Sequence, residues 1–324
     1  MTGWVPPPAS GGDEPVVGWV MPSEPAGLGV GACAREGWQI TRAGLGPLAV
    51  ITAIPTILLN LLYIPFWISI ASMLEGIFRF WAELDVSRYR YDPEALRRDM
   101  QAAMQPTQEL SVLASAATGV AVVIGIVSLA ALTAGTLDAA AGRSPSIGRA
   151  FRVALGRAAV VVPAVILAIG YVVVFVPLAL VQPDWVYGGA MTGAPGIAAL
   201  FSVVVLVLEA IAIYLAIRWA LYFQVVVSED LGVRGSLARA AALSSGVRVR
   251  IAVVLIVLWL VIGFVVAFVA AIPAIVVGLA AQSVMAALVT GTVVLSVCAL
   301  VYLPYLVAVL TYIYRRRVAD TASA

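Results

Sequence analysis

Long stretches without charged residues alternate with short charged clusters along this chain. A helix needs roughly 20 residues to cross a hydrocarbon core of about 30 Å. Five stretches with at most two charges are long enough, and they cover residues 43–74, 110–137, 158–183, 185–228 and 251–314. The last holds 64 residues, enough for two helices joined by a turn at 278–283. The pattern therefore predicts six membrane-spanning helices.

A sequence repeat arranges these helices in pairs. Residues 146–150 and 236–240 are similar, each begins a short arginine-bearing helix before an apolar stretch, and 38–46 follows the same plan. The predicted fold is all-α, a polytopic membrane bundle of six transmembrane helices in three hairpins, each hairpin preceded by a cytoplasmic amphipathic helix. The expected spans are about 45–72, 109–137, 158–182, 197–227, 250–277 and 283–313.

The chain divides into two regions of different composition. Residues 1–36 are rich in proline and glycine and poor in large apolar residues, so we expect a disordered cytoplasmic tail. Residues 37–318 form the predicted six-span membrane domain. The tail repeats Gly-Trp-Val at Gly3 and Gly18. A protein partner is therefore expected either at this tail or at the cytoplasmic helices.

The arginines are distributed asymmetrically about the six predicted spans. Those on one side are Arg35, Arg42, Arg143, Arg149, Arg152, Arg157, Arg234, Arg239, Arg248, Arg250, Arg315, Arg316 and Arg317. The other side has arginines only in the first loop, where seven acids between 75 and 109 outnumber them. Basic residues favour the cytoplasmic side. Both termini are therefore predicted in the cytoplasm.

Composition then removes most familiar enzyme chemistry. Hydrophobic residues make up 63% of the chain and charged residues 11%, and mean hydropathy is +1.06. All 19 basic residues are arginine, and histidine is absent. Without lysine and histidine there is no P-loop lysine, no Ser-His-Asp triad and no HExxH zinc site. We therefore expect no enzymatic activity, catalytic residue, metal or cofactor, and no nucleic acid as a partner.

Polar residues inside the predicted spans are the first functional candidates, because a charge in hydrocarbon is costly unless it is paired. Glu209 and Arg218 lie in the fourth span, nine residues apart and so on opposite faces of a helix. Each needs its own partner, although the long side chain of Arg218 can instead extend toward the cytoplasmic face. Asn60 of the first span is one candidate partner for Glu209, with Thr133 and Ser296 as alternatives. Either a structural interhelical hydrogen bond or a coupling role for Glu209 fits the sequence.

Arginines of the short cytoplasmic helices are the second group of candidates. Such helices can lie in the headgroup layer with their cations at lipid phosphates. The expected contacts with anionic headgroups are Arg149, Arg152, Arg157, Arg239 and Arg248. Simple anchoring of the spans on the positive side would also explain these arginines.

The segment between the fourth and fifth spans resembles a known pattern. An arginine in the fourth span, an acid at its end and a short helix ending in glycine are represented here by Arg218, Glu229, Ala238 or Ala240, Leu243 and Gly246. The pattern is similar to that of six-span prokaryotic membrane proteins, including the membrane domain fused to some bacterial glycerophosphodiester phosphodiesterases. The resemblance extends over 37–316 and implies a multi-pass protein of a prokaryotic cell membrane. It carries no phosphodiesterase activity, because that chemistry belongs to a separate domain.

Two classes of function fit these observations. One is a non-enzymatic integral membrane protein, either a scaffold or a lipid-interacting accessory factor. The other is a transport component, such as a six-span permease half that works with a separate ATPase. The family resemblance favours the first, whereas an arginine-bearing docking helix and the intramembrane Glu209 favour the second.

Overall fold

The computed structural model describes residues 28–82, 93–170, 172–173, 203, 206–207, 210–211, 213–229 and 231–322. Helices, joined by short turns, account for nearly all of these residues, and none of them lies in a β-strand. The labelled helices are α1 (Val30–Ala43), α2 (Leu45–Leu62), α3 (Ile64–Ala82), α4 (Pro93–Ala140), α5 (Ile147–Gly156), α6 (Ala158–Gly170), α7 (Tyr222–Glu229), α8 (Val233–Ser244), α9 (Arg248–Ala281) and α10 (Val284–Ala322). The predicted all-α class is confirmed for this part of the chain.

Several helices are long and apolar enough to cross a membrane. Among the described residues these are α2, the Ala117–Ala140 part of α4, α9 and α10. α5 and α6 make a fifth if they are taken as one span bent by 69°. α6 begins the predicted span 158–182, whose later part lies mostly outside the described residues. These helices indicate a multi-pass membrane protein, while six spans in three hairpins remain a prediction.

α2 and α3 meet at a one-residue break at Tyr63, inside the predicted first span 45–72. α3 then continues for ten residues beyond the predicted end. Pro65 lies in the first turn of α3, and it has no backbone N–H with which to continue the hydrogen bonds of α2. Pro55 lies inside α2 without ending it. Of these two prolines, only Pro65 therefore accompanies a break.

α4 is one continuous helix of 48 residues, and the predicted second span 109–137 forms only its later part. It begins at Pro93, a position in the first turn where the missing backbone N–H costs no hydrogen bond. The uncharged stretch thus marks the apolar part of a helix that begins well before it.

The predicted fourth span, 197–227, is interrupted. Residues 213–218 are helical, 219–221 form a turn, and α7 follows. The carbonyl oxygen of Arg218 accepts a hydrogen bond from the hydroxyl of Ser244, at 2.9 Å. Arg218 therefore lies beside the C-terminal end of α8, close to the start of α9.

The fifth and sixth predicted spans agree most closely with the structure. α9 contains 250–277 and α10 contains all but the first residue of 283–313, although both helices are longer, with 34 and 39 residues. Pro273 and Pro304 lie inside them. Between the helices Gln282 adopts a left-handed conformation with φ of 49°. A short turn thus joins two long apolar helices.

α1 lies at the predicted boundary between tail and membrane domain. It begins at Val30, so the last seven residues of the predicted disordered tail, 1–36, are helical. The buried residues of α1 are Cys33, Gly37 and Thr41. A Cβ at Gly37 would lie 2.5 Å from Cγ2 of Val309 on α10. Small side chains on one face therefore let α1 dock on α10. The average composition of the tail does not reveal this face. Residues 1–27 of the predicted tail lie outside the described residues.

α4 and α10 form the centre of the described bundle. α4 packs against α1, α2, α3, α5, α7 and α10, and α10 also packs against α1, α2, α3 and α9. Small residues allow this close approach: a Cβ at Gly135 of α4 would lie 2.8 Å from Cδ2 of Leu48. Thr136 and Thr311, both fully buried, join α4 to α10 by a hydrogen bond of 2.9 Å.

Candidate functional site

The candidate site is the end of the bundle formed by the segments whose arginines are predicted on the cytoplasmic side, from Arg35 in α1 to Arg317 in α10. We call it the arginine-rich end. Asp138 lies there, near the end of α4, with a side chain that is only 9% exposed. Its carboxylate is 2.8 Å from a guanidinium nitrogen of Arg143 and 3.6 Å from one of Arg149. Both arginine side chains are more than half exposed. One buried acid therefore holds two arginines whose guanidinium groups still face outward.

Glu229, the last residue of α7, is a second acidic anchor. One carboxylate oxygen accepts from Nε of Arg239 at 3.0 Å, and the other accepts from the hydroxyl of Tyr314 at 2.8 Å. The hydroxyls of Tyr314 and Ser228 are 2.6 Å apart. Charge-assisted hydrogen bonds of this kind are among the stronger ones in proteins. Glu229 thus ties α7, α8 and α10 together.

The C-terminal end of α8 is held by an arginine of α10. Arg317 donates to the backbone oxygens of Leu243, at 2.9 Å, and Ser245, at 3.2 Å. A cation is favourable here because the last carbonyls of a helix are unpaired and carry partial negative charge. Gly246 follows with φ of +77°, a conformation that costs glycine little. This explains the glycine in the segment that carries the family resemblance.

Arg218 and Arg248 lie on either side of the turn at 245–247, which joins α8 to α9. Arg218 is connected to it through Ser244, and Arg248 begins α9 directly after it. The Nε atom of each is buried, and neither has a hydrogen-bond acceptor among the described residues. Arg218, expected inside the fourth span, is therefore a member of the arginine-rich end.

Helix α5 presents the other predicted headgroup arginines in three different ways. Arg149 is paired with Asp138, Arg152 is exposed on the helix surface, and Arg157 follows the helix at the bend into α6. Arg157 also donates to the Val227 carbonyl at 3.5 Å. The buried residues of α5, Ala150 and Ala154, belong to the core formed with α2 and α4. The apolar face of α5 is thus directed at the bundle.

Asn60 lies away from the arginine-rich end. Its side-chain amide donates to the hydroxyl of Ser296 on α10, at 2.8 Å. Glu209, its predicted partner, lies outside the described residues. Thr133, another suggested partner for Glu209, donates to the Leu129 carbonyl one turn earlier in its own helix, at 2.7 Å. Asn60 and Ser296, both predicted as possible partners of Glu209, are therefore hydrogen-bonded to each other.

Three residues of this end make contacts that the sequence did not predict, namely Asp138, which closes the predicted second span as a helix-end residue, Glu229 as an ion-pair anchor, and Tyr314. Asp138 had a signal, since it is the first acid after the uncharged stretch 110–137 and is followed by two arginines. Tyr314 had none beyond its place next to the terminal arginines. Among the described residues, no three side chains of Cys, Asp or Glu are grouped so as to hold a metal ion.

Comparisons of the chain with models of known protein families, with curated proteins and with solved structures find no match.

Proposed function

We propose that this chain is a non-enzymatic integral membrane protein, a scaffold or lipid-interacting accessory factor whose arginine-rich end binds anionic lipid headgroups. In this proposal the chain crosses a prokaryotic cell membrane six times, and both termini lie in the cytoplasm. The arginine-rich end then faces the cytoplasmic leaflet, whose anionic lipids attract basic surfaces.

One observation carries the proposal, which is the imbalance of charge at the arginine-rich end. The described acids there are Glu36, Asp138, Glu229 and Asp320, and each is already in an ion pair with at least one arginine. Fourteen arginines belong to the same segments, from Arg35 in α1 to Arg317 in α10. The described acids are therefore too few to neutralise these arginines, and phosphate groups would complement the excess charge.

Three exposed arginines give the sharpest test. Arg152, Arg234 and Arg250 lie on α5, α8 and α9, and no ion pair with a described acid is seen for any of them. Changing all three to Gln should remove headgroup attraction and leave the ion pairs of Asp138 and Glu229 intact. Each near-surface arginine is worth about 1 kcal/mol, or about fivefold in affinity.

The measurement is native mass spectrometry of the protein purified from an equimolar mixture of phosphatidylglycerol and phosphatidylcholine. We expect the parent to retain phosphatidylglycerol preferentially and the triple variant to lose that preference. Arg79→Gln, an exposed position of α3 away from the arginine-rich end, is the matched control and should keep it. An unchanged lipid ratio in the triple variant would leave these arginines as anchors only.

A transport component is the second candidate, and the outer face of α5 favours it. Leu155 is 59% exposed beside the exposed Arg152, so α5 offers an apolar and a basic group to a cytoplasmic partner such as a separate ATPase. If an ATPase is encoded beside this protein and is stimulated by it, Leu155→Glu should abolish that stimulation without lowering thermal stability. Unchanged stimulation would exclude this docking surface.

A further inference from the structure

We propose that the groove between α2, α3 and α10 binds one acyl chain of a glycerolipid, with the indole N–H of Trp67 donating to the ester carbonyl of that lipid. This inference rests on the proposed lipid-interacting function, but it concerns a different surface and a different part of the lipid.

The groove has a volume of about 630 Å³, and none of the described residues that line it is charged. Half-buried polar residues of α2 and α10 line it, including Thr56, Asn60, Thr292 and Ser296. Large exposed residues beside them, such as Ile57 and Val297, form its rims. Small side chains between large ones therefore leave an elongated apolar channel on the surface of the bundle.

The length of the groove suits an extended acyl chain. On α10 the lining extends from Met285 to Leu300, which is about 22 Å at the helical rise of 1.5 Å per residue. An extended hydrocarbon chain is therefore the occupant that we propose, and crosslinking through α10 tests for a helix of a second copy in its place.

The direction of the groove follows from two contacts between α2 and α10. Leu48 and Val307 share one core cluster, and further along α2 Asn60 bonds to Ser296. The two helices are therefore antiparallel. The end formed by α3 and the start of α10 is far from the arginine-rich end, and Trp67 lies at that end.

Trp67 supplies the polar end of the site. Its ring packs against Phe66, with 5.8 Å between centroids, and its indole nitrogen is buried without an acceptor among the described residues. The hydroxyls of Thr56 and Ser296 differ, because they donate to the carbonyls of Thr52 and Thr292 in their own helices. A buried indole N–H normally has a partner. An ester carbonyl at the head of an acyl chain is an acceptor of the right kind, and tryptophan is typical of that depth in a bilayer.

Photolabelling tests the site. The full chain is reconstituted in vesicles with phosphatidylcholine or phosphatidylglycerol that carries a diazirine in one acyl chain, and the labelled peptides are located by mass spectrometry. We expect labelling of 56–68 and 285–300 that unlabelled lipid competes away. Phe264 and Phe268 on exposed α9 should be labelled without saturation, as ordinary lipid neighbours. Equal and unsaturable labelling of both surfaces would overturn the proposal, as would a crosslink between two copies through α10.

Two variants separate the groove from general lipid contact. Thr292→Trp should fill the groove and abolish the saturable labelling, while Val261→Trp on exposed α9 should not.

A third variant tests the carbonyl contact of Trp67. Trp67→Phe keeps an aromatic ring without the N–H, and we expect it to weaken competition by unlabelled lipid about fivefold, the effect of one hydrogen bond. Unchanged competition in Trp67→Phe would exclude the carbonyl contact.

The two lipid headgroups distinguish this inference from the proposed function. The described lining of the groove is uncharged, so saturable labelling should be equal for the two lipids and unaffected by the Arg152, Arg234 and Arg250 substitutions. Loss of headgroup preference with groove labelling intact would contradict only the proposed function. Preference for phosphatidylglycerol without saturable labelling would contradict only the groove.

Discussion

The hydroxyl of Tyr314 donates a hydrogen bond of 2.8 Å to the carboxylate of Glu229, which also accepts from Arg239. Through these two contacts the last part of α10 holds α7 and α8. The residues that carry the family resemblance, Arg218, Glu229 and Gly246, surround the same helix α8. Their positions are explained by how α8 is fixed to the bundle.

Removing the Tyr314 hydroxyl should therefore destabilise the protein. Tyr314→Phe deletes a hydrogen bond to a charged group, a contact worth about 1.5–3 kcal/mol. We expect a clearly lower melting temperature in detergent by circular dichroism or differential scanning fluorimetry. Tyr302→Phe on the same helix is the control, since no hydrogen bond of its hydroxyl is seen among the described residues. Equal melting temperatures for the two variants would show that the Glu229 contact contributes nothing.

The docking of α1 on α10 predicts opposite behaviour for two glycines of the same helix. Gly37→Ala would bring a Cβ to 2.5 Å from Val309 Cγ2 and 3.2 Å from its backbone nitrogen, so α1 must shift. We expect a loss of about 1–3 kcal/mol, as in overpacked cores. Gly31→Ala meets nothing within 4 Å and should be neutral or stabilising, because alanine favours helix. Thermal melts of both variants make the comparison, and a harmless Gly37→Ala would show that the two helices are not in close contact.

The same docking should protect Cys33 from alkylation. Cys33 is fully buried, and this burial raises the pKa of its thiol, an effect that a backbone hydrogen bond partly opposes. The reactive species is the thiolate. In a Cys298→Ser background we therefore expect slow reaction with iodoacetamide at neutral pH. The rate should still rise with pH where an ordinary thiol, with a pKa of about 8.5, has levelled off, which is above about pH 9.5.

A control thiol on the exposed face of α1 shows whether iodoacetamide reaches this helix at all. Arg35→Cys, combined with Cys33→Ser, places a thiol on the same helix in solvent, and it should react rapidly. Equal rates for the two thiols at every pH would contradict the buried position.

The Cys33 thiol of the folded protein also holds its proton more tightly than the same thiol in the unfolded chain. Its contribution to stability is therefore present below the ordinary cysteine pKa and is lost as pH rises through the raised value.

The sequence predicted the long apolar helices better than their interruptions. Hydropathy located α9 and α10 closely, because transfer of side chains into hydrocarbon dominates there. The break at Tyr63 had a local signal in Pro65, but Pro55, Pro273 and Pro304 show that proline alone does not end a helix. The turn at 219–221 contains neither proline nor glycine, and it is held by the tertiary contact of Arg218 with Ser244.

The sequence predicted which arginines belong to the candidate site. It did not predict the ion pairs and hydrogen bonds that position them. Charge asymmetry assigned Arg149, Arg239 and Arg248 to one side, because sidedness depends only on order along the chain. The partners Asp138 and Glu229 depend on how α4, α7 and α8 meet, which no spacing encodes. The groove likewise depends on the register of α2 against α10, which Asn60 and Ser296 reveal only once the helices are packed.

The most direct test of the proposed orientation is thiol labelling in intact cells. In a Cys33→Ser, Cys298→Ser background, one variant carries Ser87→Cys in the first loop and another carries Ala324→Cys at the C-terminus. The proposal requires an impermeant maleimide to label the first variant in intact cells and the second only after the membrane is permeabilised. Labelling of Ala324→Cys in intact cells would place the arginine-rich end outside and contradict the proposed binding of cytoplasmic-leaflet lipids.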